Sequence, residues 1–211
     1  RSFSDFVILY RTNAQSRAIE DGLRRKAISY EIVGGIKFYE RKEIKDLLAY
    51  LRVLVNPSDT ISLKRIMNFP PRGIGAKTIE KCENLAEVKN LPLLEILKIP
   101  EEMNLKGQQA AGLIQFYQII KKYSELQTKL DASELISVLV EELGLINFYN
   151  EQNTEDSKER FRNIQELLTT INQFCEKNID STISEFLEEV SLLTSIDSWN
   201  DSSNHITLMT V

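Results

Sequence analysis

A mainly α-helical protein with a small parallel α/β part is what this sequence predicts, and three observations lead there. Short apolar runs of strand length stand at residues 5–10, 30–33 and 206–211. A helical pattern over residues 14–26 separates the first two, the spacing of a strand–helix–strand unit whose strands run parallel. Between residues 40 and 200, apolar side chains recur mostly every three or four positions, which is helical. The third strand is therefore expected to rejoin the first two only after a helical insertion spanning residues 56–200. No internal repeat is visible.

The elements follow in order. Asp5-Phe6-Val7-Ile8-Leu9-Tyr10 has the pattern of a buried parallel strand. Arg11-Thr12-Asn13 makes a polar loop at its carboxyl end. The helix after it turns Ala18, Ile19 and Leu23 inward, and the second strand, residues 30–33, breaks at Gly34-Gly35. In open parallel sheets ligands sit at the carboxyl ends of the strands, which puts Tyr10 and Arg11 at the expected ligand edge.

Residues 40–55 predict a strong amphipathic helix, with Ile44, Leu47, Leu48, Leu51, Leu54 and Val55 on one face and Arg41, Lys42, Lys45 and Arg52 on the other. Asn56-Pro57-Ser58-Asp59 closes it and caps a helix running to residue 68. Further stripes run through Leu113, Ile114 and Tyr117, through Leu135, Ile136 and Leu139, and through Ile164, Leu167 and Ile171. Gly144 stops the second of these. A last helix opens with a capping box from Thr182 to Glu185 and buries Ile183, Phe186, Leu187 and Val190. A polar link over residues 197–204 leads to the final strand.

Phe69-Pro70-Pro71-Arg72-Gly73-Ile74-Gly75-Ala76-Lys77-Thr78 is the stretch richest in chemistry. The two prolines end what precedes them. Gly73 and Gly75 leave the turn bare while Ile74 can pin it to a core, and a helical pattern follows. A bare turn feeding a helix N-terminus offers unpaired N–H groups and a positive dipole end, which suits a phosphate; Arg72 and Lys77 add charge. The stretch reads as a plain glycine turn between helices or as a hairpin gripping a nucleic-acid backbone without reading bases. A nucleotide P-loop fails, because no glycine directly precedes Lys77 and prolines stand where a buried strand should be.

Charge favours the nucleic-acid reading. Residues 1–89 hold 17 Lys and Arg against 11 Asp and Glu, and residues 90–211 hold 9 against 20. These balances of +6 and -11 sum to the net -5 and describe a protein with one basic side. Cys82 and Cys175 lie far apart on apolar stripes and fit reduced core residues of a cytoplasmic protein. A single histidine, His205, excludes most histidine-based catalysis. No apolar run approaches the ~20 residues that cross a bilayer, and the sequence shows no signal-peptide pattern.

Five blocks, in order, resemble the UvrD/PcrA/Rep helicases of superfamily 1. Tyr10-Arg11-Thr12-Asn13-Ala14-Gln15-Ser16-Arg17 is similar to the family's motif IV, and residues 34–46, from Gly34-Gly35 through Arg41-Lys42-Glu43, to the motif after it. Residues 71–78 resemble its duplex-gripping hairpin, residues 186–194 the segment before motif V, and residues 206–211 the first half of motif V. The resemblance implies an incomplete RecA-like (P-loop NTPase) domain interrupted by the helical insertion called 2B. Residues 1–55 would be the first part of the second RecA-like domain, residues 56–200 the insertion and residues 201–211 the returning strand.

The resemblance also implies roles. Tyr10 would stack on the adenine of ATP. Arg11 would contact the γ-phosphate as an arginine finger, the one catalytic residue present. Arg41, Lys42 and Lys45 would line the single-stranded DNA track. Arg72, Gly73, Ile74, Gly75, Lys77 and Thr78 would hold duplex DNA. The Walker loops with the Mg2+ ligands, the rest of motif V and motif VI are absent from this sequence. The expectation is thus a piece of an ATP-dependent DNA helicase translocating 3′ to 5′, itself unable to hydrolyse ATP or unwind DNA. Its partners would be DNA, ATP with Mg2+, the first RecA-like domain and repair or replication proteins, with no membrane. Rival expectations are a non-enzymatic regulatory module of a helicase and a helicase-related recombination nuclease subunit.

Overall fold

The computed structural model describes residues 2–11, 13–127, 129–178, 181–199 and 204–210. Thr12 of the polar loop, residues 200–203 of the expected link and Val211 of the last strand lie outside the described residues.

The sheet has three parallel strands, β1 (Val7–Tyr10), β2 (Tyr30–Val33) and β3 (Ile206–Thr210), in the order β1-β3-β2. The last strand in sequence therefore sits in the middle. Ile8 faces Leu208 across one ladder and Ile32 faces Leu208 across the other, so one register serves both neighbours. Helix α1 (Asn13–Arg25) joins β1 to β2 and covers one face, where Tyr10, Leu23, Tyr30, Ile206 and Leu208 form a small core. Val7, Leu9, Val33 and Met209 lie on the opposite face and are exposed. The apolar run at residues 5–10 predicts burial on both faces; among the described residues only the α1 side is covered.

Among the described residues, the other buried apolar side chains join one larger core. At its centre is α2 (Lys42–Val55), in which Ile44, Leu47, Tyr50, Leu51, Val53 and Leu54 are fully buried. The sequence predicts one apolar face for this helix. The structure surrounds it, with α3 (Thr60–Ile66), α6 (Gly107–Leu126), α9 (Glu155–Lys177) and α10 (Ile183–Trp199) packed around it. α2 thus shares its core with the helices of the inserted region and not with the sheet.

Caps fall where side-chain chemistry requires them. Asp59 accepts from the Ser62 amide at 3.0 Å at the start of α3. Thr182 and Glu185 satisfy each other's backbone amides at 3.2 and 2.8 Å ahead of α10, forming the expected capping box. Gly144, at φ +64, separates α7 (Ala132–Glu142) from α8 (Leu145–Gln152), a short helix the apolar pattern does not announce. α10 runs to Trp199, into residues expected to be linker.

Candidate nucleic-acid and nucleotide surfaces

The hairpin at residues 69–75 leads into α4 (Ala76–Lys89) and is built around a guanidinium that points inward. Arg72 is 9% exposed. Its Nη1 donates to the carbonyls of Phe69 at 2.8 Å, Pro70 at 3.1 Å and Ile66 at 3.3 Å, and its Nη2 to the Tyr50 hydroxyl at 2.7 Å. The group lies over the Phe116 ring, 5.1 Å from its centroid. Ile66 ends α3, so the cation also meets the negative end of a helix dipole. The chain expected to present Arg72 to a phosphate instead wraps its own carbonyls around it.

Asn68 completes the turn. Its Oδ1 accepts the amides of Arg72 at 2.7 Å and Ile74 at 3.1 Å. Ile74 is 1% exposed and anchors the loop in the larger core, as its position between two glycines predicts. Gly73 has φ +75, a region glycine enters freely. On the far side the hairpin backbone touches α6 at Gly112, where a Cβ would lie 2.4 Å from the Arg72 carbonyl oxygen. Thr78 is buried inside the first turn of α4. What faces outward is Gly73, Gly75, Ala76 and Lys77. Gly75 caps α4 without a side-chain bond; its carbonyl takes the Thr78 amide, and the Ala76 and Lys77 amides begin the 14-residue helix at its exposed end, with the Lys77 side chain beside them.

The basic face expected for residues 41–52 also divides. Lys42, Lys45 and Arg52 are exposed. Arg41 is 6% exposed and belongs to an internal polar network, so the structure takes it off the surface track expected of it. It donates to Asn163 at 2.8 Å and Ser16 at 2.7 Å, and Asn163 donates to Glu43 at 2.6 Å. Glu20, fully buried, accepts from Ser16 at 2.6 Å, Tyr30 at 3.0 Å and the Phe38 amide at 3.1 Å, with Arg24 at 3.3 Å. The network joins α1, α2 and α9. Arg17 adds a second tie from α1 to α9 through Glu166 at 3.0 Å.

At the carboxyl edge of the sheet, Tyr10 pairs with Thr210 in register and Arg11 follows it, exposed, its amide donating to the Gln15 side chain at 3.1 Å. Tyr10 is 5% exposed, its ring within the small core. The open aromatic face expected for stacking is therefore covered. Burial pushes its phenol up, helped by Glu20 and opposed by Arg41. Among the described residues no three His, Cys, Asp or Glu side chains gather to hold a metal. No helix among the described residues is long and apolar enough to cross a membrane.

The sequence matches the UvrD-like helicase C-terminal domain over residues 1–211. The chain belongs to that family. It is 38% identical, over 164 residues, to an ATP-dependent DNA helicase PcrA of Staphylococcus aureus and to one of Staphylococcus epidermidis. The match takes in 78% of this chain and 22% of each relative, so the chain spans about a fifth of the length of the curated relatives it matches. A small parallel sheet broken by a long helical insertion is accordingly a partial RecA-like fold.

Sequence reasoning missed most of what builds the hairpin. Neither Tyr50 nor Phe116 stands out in the sequence, and Asn68 reads only as a helix end. A glycine inside a helical pattern at residue 112 is the one local sign of close backbone approach.

Proposed function

We propose that this chain is the part of an ATP-dependent 3′-to-5′ DNA helicase that holds duplex DNA and closes one side of a nucleotide cleft. The supporting observation is the hairpin. Arg72 and Asn68 lock its backbone from inside, so Gly73, Gly75 and the amides that begin α4 are presented outward with Lys77 alongside. A rigid backbone surface without bulky side chains can approach a phosphate chain closely and does not read bases. Arg72, Ile74 and Thr78 act by holding this surface in shape. Lys42 and Lys45 supply exposed charge on α2.

Arg11 supplies the cation for a nucleotide phosphate at the sheet's carboxyl edge, and Tyr10 positions it from the core beneath. ATP brings the phosphoryl group to be transferred, with Mg2+ held by groups outside the described residues. The first RecA-like domain of the parent would complete the cleft, so this chain by itself does not turn over ATP.

Fluorescence anisotropy with a labelled blunt duplex across a salt series tests the grip. Lys77→Ala should bind more weakly and lower the log–log salt slope by ~0.9, the loss of one duplex phosphate contact. A slope and affinity equal to the parent chain's would remove the hairpin from the interface.

A further inference from the structure

Next to the hairpin lies a groove of about 410 Å3 to which four helices contribute. Its lining carries four cations, Lys42, Lys64, Arg65 and Arg160, against one carboxylate, Asp46. Asp46 is 3% exposed and is engaged by Arg65 Nε at 2.7 Å. Glu43, buried nearby, accepts from Asn163. Lys64 and Arg160 pair with carboxylates outside the lining, Glu83 at 2.6 Å and Asp156 at 3.0 Å. Those pairs are surface pairs, with Glu83 40% and Asp156 70% exposed at their side chains, and a phosphate can displace such partners at little cost.

Three aromatic side chains complete the groove, Phe69, Phe148 and the buried Tyr149. Phe69 and Phe148 are half-buried and meet edge to face, 6.1 Å between centroids. A basic channel with aromatic side chains in its wall is the arrangement that binds unpaired nucleic acid, cations following the backbone and rings meeting base faces. A duplex keeps its bases stacked inside and could not use the rings, and a free phosphate would have no need of them. Asn68, Phe69 and Pro71 form one end of the groove and are also the entry to the hairpin; Lys42 at the start of α2 lies in its lining too.

We infer that this groove takes a single DNA strand as it leaves the duplex held by the hairpin, guiding its backbone towards the exposed lysines of α2. The inference rests on the duplex reading of the hairpin and adds a second, separable contact. The groove binds the strand's phosphates through Lys64 and Arg160, while Arg65 stays fastened to Asp46 and shapes the floor.

The test compares a blunt duplex with the same duplex bearing a single-stranded tail, by anisotropy over a salt series, using the full chain. Three proteins are measured: the unaltered chain, Lys64→Ala with Arg160→Ala, and Lys77→Ala. The unaltered chain should bind the tailed DNA more tightly. The groove variant should bind the blunt duplex normally, lose that gain, and lower the tailed-DNA salt slope by about 1.4, two single-strand contacts at ~0.7 each. The hairpin variant should weaken on both DNAs. Thermal melting of the groove variant should match the unaltered chain closely, since both side chains are partly exposed and their ion pairs are surface pairs. A groove variant that keeps the full gain, or a parent chain that gains nothing from the tail, overturns the groove. A hairpin variant that binds normally while the groove variant loses the gain overturns the duplex reading and leaves the groove standing.

Discussion

Nη2 of Arg72 donates to the hydroxyl of Tyr50 across 2.7 Å, and that hydroxyl donates on to the carbonyl of Phe69. A residue of the central helix thereby fixes the hairpin through a chain of two hydrogen bonds. Burial pushes the Tyr50 phenol up to about 12, against the pull of Arg72, so it stays a neutral donor throughout the neutral range. The arginine is thus a scaffold for the presented backbone.

Arg72→Ala should destabilise the fold. It strands the Pro70 carbonyl and takes one of two partners from the Phe69 carbonyl and the Tyr50 hydroxyl, which keep each other; a buried group left unsatisfied costs ~1–3 kcal/mol. Urea denaturation should show a lowered midpoint with an unchanged m value. Lys77→Ala, at the exposed side of the same hairpin, should move stability by no more than about 0.5 kcal/mol. Equal midpoints for Arg72→Ala and the unaltered chain would refute the scaffold role.

Two glycine substitutions should act in opposite directions. Gly112→Ala drives a methyl to 2.4 Å from the Arg72 carbonyl, an overpacking that costs ~1–3 kcal/mol. Gly22→Ala meets nothing within 4 Å on α1 and should stabilise by roughly 0.5–1 kcal/mol, through helix propensity. Calorimetric melting temperatures would show both shifts.

Asp59 caps α3, and the hydrogen bonds it accepts from Ser62 lower its carboxyl below the ordinary value of 3.8. A depressed native value means that the carboxylate form favours folding. The cap's contribution is therefore complete above that ordinary value and fades as pH falls towards the native one. Asp59→Asn can still cap but cannot titrate. Stability measured below pH 4 should fall less steeply for Asp59→Asn than for the parent chain, with no difference in slope near pH 7.

Glu20→Gln should weaken the joint between the sheet and the helical core. Glu20 is the buried carboxylate facing Arg24 and Arg41, and removing one partner of a buried charged set costs ~3–5 kcal/mol. Hydrogen exchange should show α1 and the 3-10 turn at Phe38–Glu40 losing protection. Unchanged protection there would refute the joint.

By itself the sequence determined the three strands, the glycine break after β2, most of the helices, the Asp59 and Thr182–Glu185 caps and the anchoring of Ile74, because period, cap and turn chemistry are local. It also carried the likeness to the helicase family, since five blocks kept their order. Only the tertiary structure decided which basic residues face water. Arg41 and Arg72 read as surface charge beside Lys42 and Lys77, yet both are folded inward, because their partners, Asn163 and Ser16 for one and Tyr50 with three backbone carbonyls for the other, come together only when the chain is folded. The same holds for β3, whose place between β1 and β2 depends on pairing across nearly two hundred residues, and for the groove, whose cations come from three separate helices. A pattern in sequence reports the face a residue would occupy on its own element. Burial is set by what the other elements bring against that face.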